Sequence, residues 1–280
     1  MRQVFTSQVV EAVARLCVEA NCQLGEDVRR GLEHAVQLEE SPLGKEILGR
    51  VLENAELAAA RNLPLCQDTG LAVVFVEVGQ EVSVVGGSLE EAINEGVRQG
   101  YRRGYLRKSI VSGLDPRVNT GDNTPAVIFY DLVPGEKLRI ILVPKGGGSE
   151  NMSSLGMLRP SDGVKGIKRF VVEVVEKAGA NPCPPVIVGV GIGGTMEKSA
   201  LLAKRALLRP LGERHPDPQV AVLEKELLEE INCLGIGPQG LGGRVTALDV
   251  HVETYPTHIA CLPVAVNLNC HCARHREVEL

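Results

Sequence analysis

The chain has 280 residues, 44% hydrophobic and 23% charged, enough to bury one large core or two ordinary ones. A formal charge of −5 with dispersed basic residues, few aromatics and no Trp leaves no footprint for nucleic acid, an anionic membrane surface or base stacking. No run of about 18 uncharged apolar residues and no secretory apolar segment occur. The chain is therefore expected to be soluble and cytosolic, where eight cysteines suit metal binding, catalysis or core packing better than a disulfide framework.

The first 60 or so residues carry helical spacing. Val9, Val10, Val13, Leu16 and Cys17 recur at that period, and Val28, Leu32, Val36 and Leu38 continue it after Gly25. Ser41-Pro42 then supplies an N-cap and a first-turn proline for Ile47, Val51, Leu52, Ala55 and Leu57. The period changes next: residues 71–78 and 82–85 are β-rich, and Ser88-Leu89-Glu90-Glu91 is a capping box opening a helix to about Arg103. Residues 126–130 and 138–143 read as a strand pair joined by Pro134-Gly135. A glycine-rich loop at 145–148 leads to a helix over 163–178, a buried strand at 185–190, a helix over 195–208, and another from Asp217-Pro218 to about Asn232. Beyond the glycine-dense stretch 235–243 come strands at 245–252 and 262–268. With no internal repeat, low-complexity tail or charged linker, the pattern predicts one continuous mixed α/β unit over 1–280 with a helical N-terminal portion (1–62).

Three cysteines differ from the rest in their neighbours. Cys66 is followed by Gln67, Asp68, Thr69 and Gly70, poor core material but suited to a polar site on a tight turn. Cys183 sits between Pro182 and Pro184, which remove backbone donors and stiffen the loop. Cys270 and Cys272 alternate with His271 before a basic tail, and spacing alone does not choose between them. Cys17, Cys22, Cys233 and Cys261 are expected to be structural, Cys261 packed against the core. Zinc sites use local pairs such as C-x2-C, whereas these ligands lie 117 and 87 residues apart. Three distant thiolates can hold an iron–sulfur cluster with one iron left open as a Lewis acid.

Two glycine runs need separate readings. Gly189, Gly191 and Gly194 fit a G-x-G-x-x-G dinucleotide fingerprint, yet no second strand ending in an acidic residue follows at the required distance. Close strand–helix packing is the expected role. Gly146-Gly147-Gly148 beside Lys145 can turn backbone N–H groups toward an anion, and Arg107 is a candidate fork for a carboxylate.

Taken in order, PLCQDTG (64–70), GYLRKSIV (104–111), KGGGSENMS (145–153), NPCPPVIVGVGIGGT (181–195) and the stretch 236–275 ending in NLNCHCARH resemble the α subunit of class I, iron–sulfur-dependent fumarate hydratase and its relative L-tartrate dehydratase. The resemblance spans roughly residues 57–276. It implies a single hydro-lyase catalytic domain and a [4Fe-4S] cluster on Cys66, Cys183 and Cys270, with Cys272 standing where the family pattern has alanine. It also implies that Gln67 and Asp68 face a dicarboxylate, that Arg107 clamps a carboxylate, and that Gly148, Asn151 and Ser153 bind it from the glycine-rich loop. His258 matches a family active-site histidine, so Asp68 and His258 are the expected catalytic pair. Asn151-Met152-Ser153 departs from the Asn-Lys-Thr of single-chain fumarases.

Removing water from a 2-hydroxy dicarboxylate needs a base for a weakly acidic C–H and a Lewis acid for hydroxide. Family members that work alone carry a further C-terminal domain with the catalytic threonine and more cationic clamps. The expectation is therefore a separate β subunit, an α2β2 assembly, and reversible hydration of fumarate to malate. Tartrate dehydration and a non-catalytic iron–sulfur sensor are the alternatives.

Overall fold

The computed structural model describes residues 1–280. Contacts divide the chain into two units, Met1–Leu24 with Asn54–Gly147 and Arg274–Leu280, and Gly25–Glu53 with Gly148–Ala273, where the sequence suggested one continuous unit. No helix is long and apolar enough to cross a membrane.

The first unit opens with β1 (Arg2–Phe5) and α1 (Thr6–Cys22), and continues after the end of α3 (Pro42–Arg61) through β2 (Leu71–Gly79), β3 (Val82–Val85), α4 (Leu89–Arg103), the short pair β4 (Val111–Ser112) and β5 (Val118–Asn119), β6 (Val127–Val133) and β7 (Leu138–Lys145). Helix α4 starts as its capping box predicts, with the Ser88 side chain accepting from the Glu91 N–H at 3.4 Å. The expected β6–β7 pair does not form. Strand β2 lies between them, parallel to β6 and antiparallel to β7. The physical reason is burial on both faces: Ala72 to Val76 are all buried, so β2 takes a central place, whereas β6 alternates exposed and half-buried residues as an edge strand does. Residues 276–279, expected as a basic tail, form β12 (Arg276–Glu279) on the other side of β7. The core gathers Val9, Val13 and Leu16 of α1 with Ile93 and Val97 of α4 and Val74, Ile140 and Leu142 of the sheet. Cys17 is fully buried there and burial drives its thiol far above the ordinary range. That is the structural role expected of it.

The second unit contains α2 (Glu26–Leu38), β8 (Ser154–Leu158), α6 (Gly163–Ala178), β9 (Val186–Gly193), α7 (Met196–Ala206), α8 (Pro218–Asn232), β10 (Ala247–Tyr255) and β11 (Leu262–Asn269), while the single turn α5 (Gly147–Glu150) sits at the unit boundary. The sheet order is β10-β9-β11-β8, with β10 parallel to β9 and β11 antiparallel to β9 and β8. Val186, Val188 and Val190 of β9 join the core under α6 and α8. The alternate residues Gly189 and Gly191 therefore face the other way, toward α7. A Cβ at those positions would stand 2.1 Å from the Ala203 carbonyl oxygen and 2.0 Å from that of Ser199. The glycine run is thus a close strand–helix contact, as expected, and the dinucleotide reading has no space to use.

Candidate active site

In the first unit the stretch 66–70 forms a polar turn at the start of β2, braced from several sides. The β2–β7 register places Leu71 opposite Lys145, which brings the glycine-rich segment beside the turn. Gly70 adopts φ +68°, and a Cβ there would lie 2.7 Å from the Lys145 backbone, so only glycine fits. Asp68 accepts from the Gly70 N–H at Oδ1, 2.9 Å, and from the Gly147 N–H at Oδ2, 2.8 Å. Its own N–H donates to Cys66 Sγ at 3.4 Å, and that thiol lies 3.3 Å from Gln67 Oε1. Buried Thr69 donates to the Arg107 carbonyl oxygen at 3.0 Å, fixing the backbone at Arg107 while its side chain is exposed. The Tyr101 hydroxyl lies 2.7 Å from the Thr69 carbonyl oxygen and 3.0 Å from that of Gly70, which also accepts from Asn123 Nδ2 at 3.2 Å. Gln67, Asp68 and Arg107 therefore share one framework with Cys66.

In the second unit, antiparallel pairing aligns Asn269 of β11 with Ile187 of β9. Cys270, just past β11, and Cys183, just before β9, consequently emerge at the same end of the sheet. The Cys183 carbonyl oxygen is met by the His271 N–H at 3.4 Å and by His271 Nδ1 at 3.0 Å. Gln239 holds the adjoining Pro184 carbonyl oxygen with its N–H at 2.7 Å and its Nε2 at 2.8 Å. Cys183 adopts φ +55° and is exposed, Cys270 is half-buried, and Cys272 is 7% exposed. Accessibility thus separates the two candidates that spacing left open. Gly148 belongs to the same end, where a Cβ would stand 3.3 Å from the Asn181 carbonyl oxygen. Asn151 is exposed, while the Ser153 hydroxyl donates to the Ser149 carbonyl oxygen and accepts from the Leu268 N–H, both at 3.2 Å. Ser153 has one acceptor lone pair left and no proton to give.

His258 is placed differently. It follows β10, whose Tyr255 pairs with Gly193 at the far end of β9, and the neighbouring Thr257 hydroxyl donates to the Gly194 carbonyl oxygen at 2.8 Å. The length of β9, roughly 23 Å, separates it from the end bearing Cys183 and Cys270. Cys261, expected in the core, is half-exposed in the same turn. A cleft of about 710 Å³ beside His258 and another of about 410 Å³ against α2 include neither Cys183 nor Cys270.

None of the eight cysteines is joined in a disulfide. Neither unit by itself gathers three His, Cys, Asp or Glu side chains at metal-ligating spacing. The donor set nonetheless suits an iron–sulfur cluster: three accessible soft thiols on turns, one already receiving an N–H, with the fourth nearby cysteine withdrawn into the core. Sequence reasoning missed Gln239, Tyr101 and Arg274 as the braces of these turns. Gln239 and Arg274 both lay inside a motif already noted, but nothing local signalled that Arg274 is buried.

A family model described as fumarate hydratase (fumerase) matches residues 10–279. A protein of Methanocaldococcus jannaschii provisionally named L(+)-tartrate dehydratase subunit alpha is 46% identical over 269 residues, 94% of each chain. The L(+)-tartrate dehydratase subunit alpha of Escherichia coli strain UTI89 is 36% identical over 273 residues, covering 96% of this chain and 89% of that protein. Its counterpart in strain K12 is 35% identical over the same length.

Proposed function

Because the chain belongs to the fumarate hydratase family, we propose that it is the α subunit of an iron–sulfur hydro-lyase that reversibly hydrates fumarate to malate. The observation that carries this reading is the pairing of the Cys183 and Cys270 turns at one sheet end, with Cys272 buried behind them. Cys66, Cys183 and Cys270 are the residues that would hold a [4Fe-4S] cluster. Bound by three thiolates, it supplies a Lewis-acidic iron for the departing hydroxide.

The chain's own groups have separable tasks in this reading. Each Asp68 oxygen accepts one backbone N–H and keeps lone-pair capacity for a substrate proton, which suits acid–base work from a fixed position. The exposed Arg107 guanidinium, on a backbone pinned by Thr69, can grip a carboxylate through two parallel bonds. Gln67 offers its amide beside Cys66. Gly148, Asn151 and Ser153 would meet the substrate as well, Ser153 only as an acceptor. His258 lies at the opposite end of its sheet from Cys183 and Cys270 and would serve the centre of another copy. That fits an assembly with more than one α chain.

The relatives are named as α subunits, which supports a companion β subunit and an α2β2 complex. Their names also favour a second reading, L(+)-tartrate as substrate, which differs from malate by one hydroxyl. The test is anaerobic co-purification with the companion chain and assays with fumarate, malate and L(+)-tartrate. The expected result is turnover by the complex and little by the α chain alone, even after cluster reconstitution. Full turnover by the isolated chain would overturn the split-site reading, and preference for tartrate would select the second substrate.

A further inference from the structure

Arg274 is 5% exposed. Its Nη2 donates to the Asp68 carbonyl oxygen at 2.7 Å, while Nε and Nη1 are buried without a hydrogen-bond partner. None of its hydrogen bonds goes to a carboxylate, so a guanidinium charge is held out of water without a bonded counter-ion. A buried, unpaired charge is among the most costly features a fold can carry. Its influence reaches inward: burial pushes the Cys22 thiol up, and the Arg274 charge opposes that shift. On the outward side, Asp68 is gripped from both directions, its carbonyl oxygen by Arg274 and its N–H by Cys66 Sγ.

A purely structural brace for one carbonyl oxygen would not need a full charge. Tyr101 and Asn123 perform that task on the neighbouring carbonyls with neutral groups. We infer that Arg274 is a positioning residue whose buried charge is the built-in counter-charge for the anionic group taken up at the Cys66 turn, and that loading the site relieves a cost which the empty chain bears. The inference rests on the iron–sulfur reading above, because a thiolate-held cluster is the anionic group that turn would receive. It does not require Arg274 to touch substrate. The charge acts through Asp68 and the Cys66 turn.

The experiment compares the native α chain, co-purified with its companion subunit and loaded anaerobically, with Arg274→Gln and Arg274→Lys. Gln keeps a donor for the Asp68 carbonyl but removes the charge, and Lys keeps the charge. Two quantities are read: the melting temperature of each empty protein, and the rate at which a chelator strips iron from each loaded one. The empty Gln variant should melt at or above the native temperature yet lose iron about 10–100-fold faster, the scale of an outer-shell change at a metal site. Lys should restore most of the retention. Native-like retention in the Gln variant would overturn the inference, as would equal weakening of empty and loaded forms. Failure of the Gln variant to fold would also contradict it, since the empty fold is held not to need the charge. If the native complex carries no iron, the cofactor reading falls and takes this inference with it. Iron in the native complex with an indifferent Gln variant defeats the inference alone.

Discussion

His271 closes on the carbonyl oxygen of Cys183, with its N–H at 3.4 Å and its Nδ1 at 3.0 Å. Since His271 directly follows Cys270, this clasp ties two cysteine-bearing turns that are 87 residues apart in sequence. On either side of His271, Cys270 is half-buried and Cys272 buried. Cys270→Ser should therefore abolish cluster uptake while Cys272→Ala leaves it, read as bound iron and visible absorbance after anaerobic loading. Cys183→Ala should behave like Cys270→Ser. Loss of the cluster in Cys272→Ala with retention in Cys270→Ser would move the third ligand to Cys272.

Glu39 should be a keystone of the second unit. It is 1% exposed, and its carboxylate accepts backbone N–H bonds from Glu40, Ser41, Arg244 and Val245, each at 2.9 Å. Burial alone would raise its pKa, but the hydrogen bonds from Val245, Arg244, Ser41 and Glu40 outweigh it and hold the group below the usual carboxylate range. A depressed carboxylate contributes stability that is present above its unfolded pKa, about 4.3, and is lost as pH falls through the lower folded value. Glu39→Ala would orphan buried donors, so a loss of about 3 kcal/mol or more is expected in denaturant unfolding at neutral pH. A change under about 0.5 kcal/mol would show that these amides find water instead.

Asp249 should dominate acid sensitivity at the outer edge of the sheet. It is 2% exposed and lies in the edge strand β10. Burial pushes its pKa up, but the His251 ring, the Gly212 N–H and the Arg214 guanidinium overcome that and bring it down to about 2. The sign follows as for Glu39: stability is full above an unfolded value of about 3.9 and drains away toward pH 2, by about 2–3 kcal/mol. Asp249→Asn should lose stability at neutral pH and flatten this acid limb of the unfolding curve. A variant with the native acid limb would assign the sensitivity to another carboxylate.

Gly191→Ala should damage the fold without touching any ligand. The added methyl would stand 2.0 Å from the Ser199 carbonyl oxygen and 2.6 Å from the Ala203 nitrogen, forcing β9 and α7 apart at a cost of about 1–3 kcal/mol or more. Nucleotide titration of the native chain should show no binding, because the same glycines are filled by the helix. A native-like melting curve for the Ala variant would mean that α7 can retreat.

Local chemistry was enough for much of this protein. The Ser88 and Asp217-Pro218 helix starts, the β2, β3, β9, β10 and β11 runs, and the packing role of Gly189 and Gly191 follow from caps, turns and periodicity, which act within a few residues. The three motif cysteines stood out because their neighbours are too polar or too stiff for a core. Other features depend on partners far along the chain. Strands β1, β8 and β12 are short, β1 and β12 carry charges and β8 a glycine, and they are strands only because β3, β11 and β7 offer them free edges. Likewise, β6 and β7 are neighbours in sequence but not in the sheet, since β2 is the strand that can be buried on both faces. Tertiary structure also decided that Cys270 is open and Cys272 closed, that His258 sits at the opposite end of its sheet from Cys270, and that Arg274, a basic residue in a basic tail, is buried against Asp68. Residue type states what a side chain can do, but burial and register arise from non-local packing, and these decide which of those capacities is available.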